Sequence, residues 1–275
     1  MTDSIKEQII DKIDFDENLG KLIEGKRVCI CGPSLSQVGT KLGEEIDSYD
    51  IVCRINMHLP FEDQEDYGKR TDVMFLGGWP IFDGNLRKEL IKYDKEDSRY
   101  YKYLKDLKFI YFIDPLADKE YRNIPCREAD QCNHKSWDEF KEKFGNEYGV
   151  TNIWLSDICK NYIKNKSNMS KNFNQSLSNS GMHAIIAALK HNPSELFITG
   201  FNFYNWGKGG KLEDVFQKGS TDYYNFDYLP GNKFRYKSVN GHVFGPTLYF
   251  SRQMFDEYKH CIKLDKILEE FFYPN

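Results

Sequence analysis

The sequence has no long apolar run and no large excess of one charge. Nowhere in its 275 residues is there a stretch near the roughly 18 to 20 apolar residues that cross a bilayer, and the N-terminal region contains no signal-peptide core. The 38 basic and 42 acidic residues are interspersed and leave a net charge of −4. We therefore expect a cytoplasmic protein that does not bind nucleic acid, with peripheral membrane contact left open.

Common fingerprints for dinucleotides, triphosphates and metals are missing as well. The loop after the first predicted strand, "ICGPSLSQVG", is neither GxGxxG nor a Walker loop. The seven cysteines are an odd number, and no second Cys or His pair stands at metal spacing beside Cys29 and Cys31. The Asp-x-Asp at Asp14 to Asp16 precedes the first strand, a poor place for the metal motif of nucleotide-diphosphate sugar transferases. We expect buried thiols and no metal site.

What the sequence does contain is a regular alternation of apolar strands and helices. Strands are predicted at 27–32, 50–56, 71–78, 107–114 and 195–204, and helices at 36–46 and 179–192, with further helical spacing through 250–272. Strands that are apolar along nearly their whole length are typical of a parallel sheet covered on both faces. The fold class predicted is therefore α/β, with residues 1–275 as a single domain.

Two segments break this alternation. Residues 115–172 are rich in charge and aromatics and contain helical stretches, so they are predicted to form a helical cover over the sheet. Residues 205–241 mix glycines, aromatics and charge without a clean period, which is typical of a lid-like loop. A plain surface excursion is the alternative for this second segment.

Two turns of small residues are candidates for binding an anion. Each lies next to a predicted helix start, where free backbone N–H groups and the helix dipole favour negative charge. In a parallel sheet both turns would lie near the carboxyl ends of strands. The alternatives are a structural turn for the first and simple N-capping for Ser178 and Asn179 in the second. The two turns are Gly32, Pro33, Ser34 and Ser178, Asn179, Ser180.

Two longer stretches resemble a known family. "RVCICGPSLSQVGTKLGEEIDSYDIVCRIN", continuing through "YGKRTDVMFL", resembles the large sialylmotif of the sialyltransferases. "SNSGMHAIIAALKHNPSELFITGFNFY" is similar to the small sialylmotif and, in its ending, to bacterial sialyltransferases that use a CMP-activated sugar. Together the quoted residues make up about a quarter of the chain. The resemblance implies a Rossmann-like parallel sheet with helices on both faces, a GT-A-like sialyltransferase variant, with a lid.

The resemblance also implies roles for individual residues. His242, in "NGH", occupies the place of the general base. Tyr204 would hydrogen-bond the leaving phosphate, Asn56 would contact the cytidine or phosphate, and Ser180 would bind CMP or the sugar carboxylate. The full set of implied donor-binding residues is Gly32, Pro33, Ser34, Asn56, Ser178, Asn179, Ser180, Gly181, Gly200, Asn202 and Tyr204.

The implied activity is inverting, metal-independent transfer of sialic acid from CMP-sialic acid to a hydroxyl of a glycan, for which a galactoside is one candidate acceptor. The CMP-sugar is a substrate, and no cofactor is implied. A neutral imidazole with a pKa near 6.5 suits the base near neutral pH. The alternatives are a CMP-Kdo or other CMP-nonulosonate transferase and a nucleotide-binding module without catalysis. The sequence does not define the oligomeric state.

The chain departs from the family pattern in several places, one of which is the "VFGPTLYF" after His242, where animal enzymes have a tyrosine-rich tail. Cys31 and Gly32 stand where the families commonly carry a Gly-Asn or Asn-Gly pair. "NQSLSNSG" lacks the arginine of the bacterial relatives, and the small motif lacks the cysteine of animal enzymes, so no disulfide can join the motifs. Of the histidines near the second motif, His183 lies within its helix, and His191 lies at the helix end, where a cation is expected.

Overall fold

A single parallel sheet of seven strands organises the chain. The computed structural model describes residues 4–13, 15–55, 63–77, 103, 105–113, 147–150, 180–201 and 244–274. Within them the strands are β1 (Arg27–Cys31), β2 (Ile51–Ile55), β3 (Val73–Gly77), β4 (Phe109–Ile113), β5 (Glu147–Val150), β6 (Glu195–Thr199) and β7 (Ile262–Leu264). The α-helices are α1 (Ile5–Gln8), α2 (Glu17–Ile23), α3 (Gly43–Asp47), α4 (Gln64–Tyr67), α5 (Ser180–Lys190), α6 (Phe244–Glu257) and α7 (Lys266–Phe272), and two 3-10 turns cover Ile10–Lys12 and Leu35–Gln37.

The order in which the chain adds strands to the sheet reverses at the centre of the sheet, next to β1. The order is β5-β4-β3-β2-β1-β6-β7, and every neighbouring pair is parallel. The chain adds strands on one side of β1 as far as β5 and then returns to add β6 and β7 on the other side. In open parallel sheets, ligands bind outside the carboxyl ends of the strands at such a reversal. The crevice between the ends of β1 and β6 is therefore the place to look for a site.

Apolar cores cover both faces of the sheet, as the continuous apolar strands predict. One face packs against α1, α2, α5, α6 and α7 in a large core that includes Ile30, Phe75 and Ile198. On the other face, Cys29, Cys31 and Phe197 pack with side chains of α3, α4 and the turn between α3 and β2. The predicted α/β class with helices on both faces is confirmed, and the free thiols of β1 and β2 are buried as expected.

The helix predicted at 36–46 forms only in part. A 3-10 turn at Leu35–Gln37 is followed by left-handed backbone at Gly39 and Lys41, and the α-helix begins only at Gly43. The buried carboxylate of Asp66 explains the break, because it accepts hydrogen bonds from the backbone N–H groups of Gly39 (2.7 Å) and Lys41 (2.8 Å). These donors bond to a side chain instead of continuing a helix.

Two strands were not predicted from the sequence. β5 lies inside the range 115–172 that was predicted as helical cover. β7 interrupts the predicted helical stretch 250–272, which instead forms the end of α6, β7 and α7. Both are short edge strands, of four and three residues, and pairing with a neighbouring strand decides the conformation of such short segments. The rest of 115–172 and the predicted lid at 205–241 lie outside the described residues.

His191 is neutral, although a cation would suit the dipole at this helix end. Its ring is fully buried, its Nδ1 lies 2.7 Å from the carbonyl oxygen of Ala187, and its Nε2 accepts the backbone N–H of Asp16 at 3.0 Å. An Nε2 that accepts a hydrogen bond carries no proton, so the imidazole is neutral. Burial lowers its pKa, and burial lowers the pKa of His183 to about 3.

We expect these two neutral histidines to make the protein less stable in mild acid. Their pKa values are depressed in the folded state, so between pH 6.5 and the folded pKa the unfolded chain binds more protons and stability falls with falling pH. His183 alone is expected to lower the free energy of unfolding by about 2 kcal/mol between pH 7 and pH 5. Urea titrations at both pH values measure this difference. His183→Gln should reduce it, whereas the exposed His260→Gln should not; equal pH dependence in both variants would contradict the expectation.

Candidate functional site

Two glycines at the ends of the central strands bring their backbones into direct contact. Gly32 follows β1 and donates its N–H to the carbonyl of Thr199 at 2.8 Å. Gly200 follows β6 with φ +70°, a backbone region that favours glycine. A Cβ added to either glycine would overlap the carbonyl oxygen of the other. The fold therefore requires glycine at both positions, which lie at the crevice between the ends of β1 and β6.

The loop after β1 is held against β6 and α4. Ser34 donates its N–H to the carbonyl of Gly200 at 2.9 Å, and its own carbonyl accepts the Tyr67 hydroxyl at 2.7 Å. The Ser34 side chain is fully buried, and its Oγ accepts the Ser36 N–H at 3.1 Å and lies 2.8 Å from the Ser36 hydroxyl. The Gly32 to Ser34 turn is therefore rigid, with its backbone fixed by β6 on one side and by Tyr67 on the other.

A buried carboxylate fixes the end of β6. Asp265 begins α7, where its Oδ1 accepts the N–H of Leu268 at 2.8 Å. Its Oδ2 accepts the Thr199 hydroxyl at 2.8 Å and the Gly200 N–H at 3.2 Å. Burial raises the pKa of Asp265 even though these hydrogen bonds oppose the shift. Asp265 thus ties the second glycine turn to the helix that follows β7.

A fully buried arginine on β2, Arg54, lies next to the end of β1, which leads into the turn Gly32 to Ser34. Arg54 pairs in register with Cys31 at the end of β1. Its Nε donates to the Thr71 hydroxyl at 2.9 Å and its Nη2 to the carbonyl of Tyr67 at 2.6 Å. Because Tyr67 in turn holds Ser34, Arg54 is connected to the candidate site through one residue. Sequence reasoning singled out Asn56 in "RIN" and missed Arg54, although a lone charge inside the apolar strand "IVCRI" was the available signal.

The segment "GKRTD" before β3 supports this arginine. Arg70 donates from Nη1 to the carbonyls of Asp47 (2.7 Å) and Tyr49 (2.8 Å) and from Nη2 to Asp72 Oδ2 (2.9 Å). Asp72 also accepts the Val52 N–H at 2.9 Å, which joins the segment to β2. The described residues of this stretch of the large motif act as scaffold.

The structure brings together some of the residues that the sequence predicted. Gly32, Pro33, Ser34 and Gly200 meet at the β1 and β6 ends, as described above. Ser180 and Gly181 form the first turn of α5, half-buried and buried respectively, and α5 leads into the start of β6, so its N-terminus lies toward the carboxyl edge of the sheet. Six predicted residues lie outside the described residues: Asn56, Ser178, Asn179, Asn202, Tyr204 and His242.

Neither a metal cluster nor a membrane span is found in the part of the chain that the structure describes. No group of three or more His, Cys, Asp or Glu side chains is placed to hold a metal ion among these residues. Of the Asp-x-Asp sequence, Asp16 caps α2 by accepting the N–H groups of Asn18 (3.0 Å) and Leu19 (2.8 Å). No described helix is long and apolar enough to cross a membrane.

These features define the class of the fold. A parallel sheet with a central reversal, helices on both faces, and small-residue turns at the carboxyl ends of the two central strands is the Rossmann-like arrangement of nucleotide-binding α/β proteins. The predicted Rossmann-like sheet is confirmed.

Comparison with known proteins finds similar solved structures, among them two crystal structures of mammalian sialyltransferases. No protein-family profile and no curated protein matches the chain. The crystal structure of a mammalian sialyltransferase in complex with Gal-beta-1-3GalNAc-ortho-nitrophenol is 13% identical, with a TM-score of 0.43, and the match covers 92% of this chain and 74% of that chain. A second crystal structure of a mammalian sialyltransferase is 12% identical, with a TM-score of 0.44 and coverage of 92% and 74%. Both belong to the family that the two sequence motifs resemble.

Proposed function

We propose that this protein transfers sialic acid from CMP-sialic acid to a hydroxyl of a glycan. The observation that carries the proposal is the meeting of Gly32 and Gly200 at the central reversal of the sheet. These glycines belong to the two separate stretches that resemble the large and small sialylmotifs. Two stretches far apart in the chain thus converge on one edge, at the place where a nucleotide is expected.

The local chemistry of this edge suits the nucleotide end of a CMP-sugar. The first turn of α5 offers backbone N–H groups, and α5 directs the positive end of its dipole toward the same edge. Ser180 and Gly181 at that helix start are the proposed contacts to CMP or to the sugar carboxylate. Neither contact requires a metal ion, so the proposed reaction is metal-independent.

The proposed reaction is a single displacement with inversion. The acceptor oxygen forms a bond to the anomeric carbon of sialic acid, and the bond from that carbon to the phosphate oxygen breaks, so that CMP leaves with the electron pair. His242 takes the acceptor proton, and Tyr204 hydrogen-bonds the leaving phosphate. General base catalysis of this kind contributes about 10²- to 10⁴-fold to a rate.

Release of CMP tests the proposal. Purified protein is given CMP-sialic acid, with and without a set of galactoside acceptors, in EDTA. We expect CMP release that survives EDTA and depends on the acceptor, and turnover that falls by about 10²-fold or more in His242→Ala while CMP affinity is kept. The exposed His260→Ala is the matched control and should behave as the unaltered protein.

The other outcomes separate the alternatives. Release from CMP-Kdo and not from CMP-sialic acid would assign a different CMP-nonulosonate as donor. Binding of CMP with no release from either donor would favour a nucleotide-binding module, consistent with Cys31 at a position where the families commonly carry asparagine or glycine. Absence of CMP binding would refute the proposal.

A further inference from the structure

Arg54 is a buried positive charge whose hydrogen-bond acceptors among the described residues are all neutral. They are the carbonyls of Tyr67 and Arg70 and the hydroxyl of Thr71. Among the described residues no carboxylate forms an ion pair with it, and its Nη1 has no hydrogen-bond partner. An unpaired charge removed from water costs several kcal/mol, so a buried guanidinium without an anion is an incomplete arrangement.

The carboxylate on the next strand does not complete it. Asp72 accepts the Arg70 guanidinium at 2.9 Å and the Lys108 ammonium at 2.8 Å, in addition to the Val52 N–H. Two cations already compensate this carboxylate. The charge of Arg54 is therefore available to a group that is not part of the described chain.

A second buried donor without a partner lies on the same side of the sheet. Gln37 is 1% exposed, and its Nε2 has no hydrogen-bond partner among the described residues, while its Oε1 accepts the Cys31 thiol at 3.5 Å. Cys31 is also the cross-strand neighbour of Arg54. Cys31 is thus the common neighbour of Arg54 and Gln37, the two residues with a donor that has no partner among the described residues. Cys31 is the last residue of β1 and is followed directly by Gly32.

The two bonds made by Nε and Nη2 fix the plane of the Arg54 guanidinium before any ligand arrives. A planar fork held in this way is suited in shape and charge to the oxygens of a phosphate. A nucleoside base offers no charge to compensate the guanidinium, whereas a phosphate does. The ligand group indicated by Arg54 is therefore an anion.

We propose that Arg54, together with Gln37, binds the phosphate of the nucleotide at the β1 and β6 edge. The identity of that nucleotide as CMP rests on the proposed function; the anion site does not. Arg54 thereby joins the backbone N–H groups at the start of α5 as a group that discriminates a nucleotide from its nucleoside.

The test compares nucleotide and nucleoside affinities in the same protein. Calorimetry measures CMP, UMP, AMP and GMP beside cytidine, uridine, adenosine and guanosine. The unaltered protein should prefer at least one monophosphate over its nucleoside, and Arg54→Met should reduce this preference by about 10- to 100-fold. Arg54→Lys should keep part of it. Arg27→Met is the control, because Arg27 is the first residue of β1 and lies at the end of the strand opposite the candidate site. This variant should leave the preference unchanged.

Each outcome decides a separate point. A ratio unchanged in Arg54→Met would overturn the inference even if CMP-sialic acid is turned over. Loss of preference for a purine nucleotide would support the inference and refute CMP as the donor nucleotide. Should neither Arg54 variant fold, a crystal structure of the unaltered protein with its best monophosphate decides: a phosphate oxygen at hydrogen-bond distance from Nη1 supports the inference, and its absence overturns it.

Discussion

Gly200→Ala is expected to lower the free energy of unfolding by about 3 kcal/mol and to abolish nucleotide binding. Two costs add at this position. The backbone has φ +70°, which an alanine rarely adopts, and the new Cβ would overlap the carbonyl oxygen of Gly32 and lie 2.6 Å from the Gln37 side chain. Relief of the overlap requires the β1 and β6 turns to separate, and these turns form the proposed binding edge.

Two further variants separate the costs. Gly25→Ala introduces a side chain at φ +67° with nothing within 4 Å, so it measures the backbone cost alone, about 1 kcal/mol. Gly32→Ala introduces the overlap without a positive φ. Urea titration and CMP calorimetry on all three variants give the comparison. Equal destabilisation by Gly25→Ala and Gly200→Ala would show that the contact between the two turns does not matter.

Asp72→Ala is expected to destabilise the protein by about 3 kcal/mol, because it leaves a buried N–H and two cations without their carboxylate. Asp72 accepts the Val52 N–H on β2 and compensates Arg70 and Lys108. Without Asp72, Arg70 loses its carboxylate partner, and the segment of Arg70 and Thr71 that accepts hydrogen bonds from Arg54 becomes less well fixed. We therefore expect nucleotide affinity to fall along with stability.

Surface and isosteric variants provide the controls for Asp72. Asp256→Ala removes a carboxylate paired with Arg252 at 3.1 Å, where both side chains are more than 40% exposed, so its cost should stay below about 1 kcal/mol. Asp72→Asn keeps an acceptor for the Val52 N–H and should fall between the two alanine variants. Urea denaturation measures all three, and an Asp72→Ala cost no larger than that of Asp256→Ala would show that the buried contacts are not stabilising.

The sequence by itself determined the layered α/β class and most of the central strands. β1, β2, β3, β4 and β6 each form within the predicted ranges, because apolar runs of this length bounded by turn residues have few other ways to be buried on two faces. The helix α5 was equally predictable, since nearly all of its side chains are buried. These are properties of local composition.

The short elements could not be predicted in this way. β7, with three residues, is a strand because it pairs with β6, and the break before α3 exists because Asp66 binds two backbone N–H groups from 25 or more positions away. His191 is neutral because the chain before α2 supplies its second hydrogen bond. Contacts between distant parts of the chain decided each of these features, and no local pattern encodes them.

The candidate site shows the same division. The small-residue turns at Gly32 and Ser180 could be located by their composition and by the motifs they resemble. Only the tertiary structure decided that Gly32 and Gly200 contact each other, and that Arg54 is buried beside Cys31 with no carboxylate partner among the described residues. Strand order and register set which residues become neighbours, and the free energy of a buried charge depends on those neighbours. The arginine itself is visible in the sequence, but only the fold determined that no described carboxylate pairs with it.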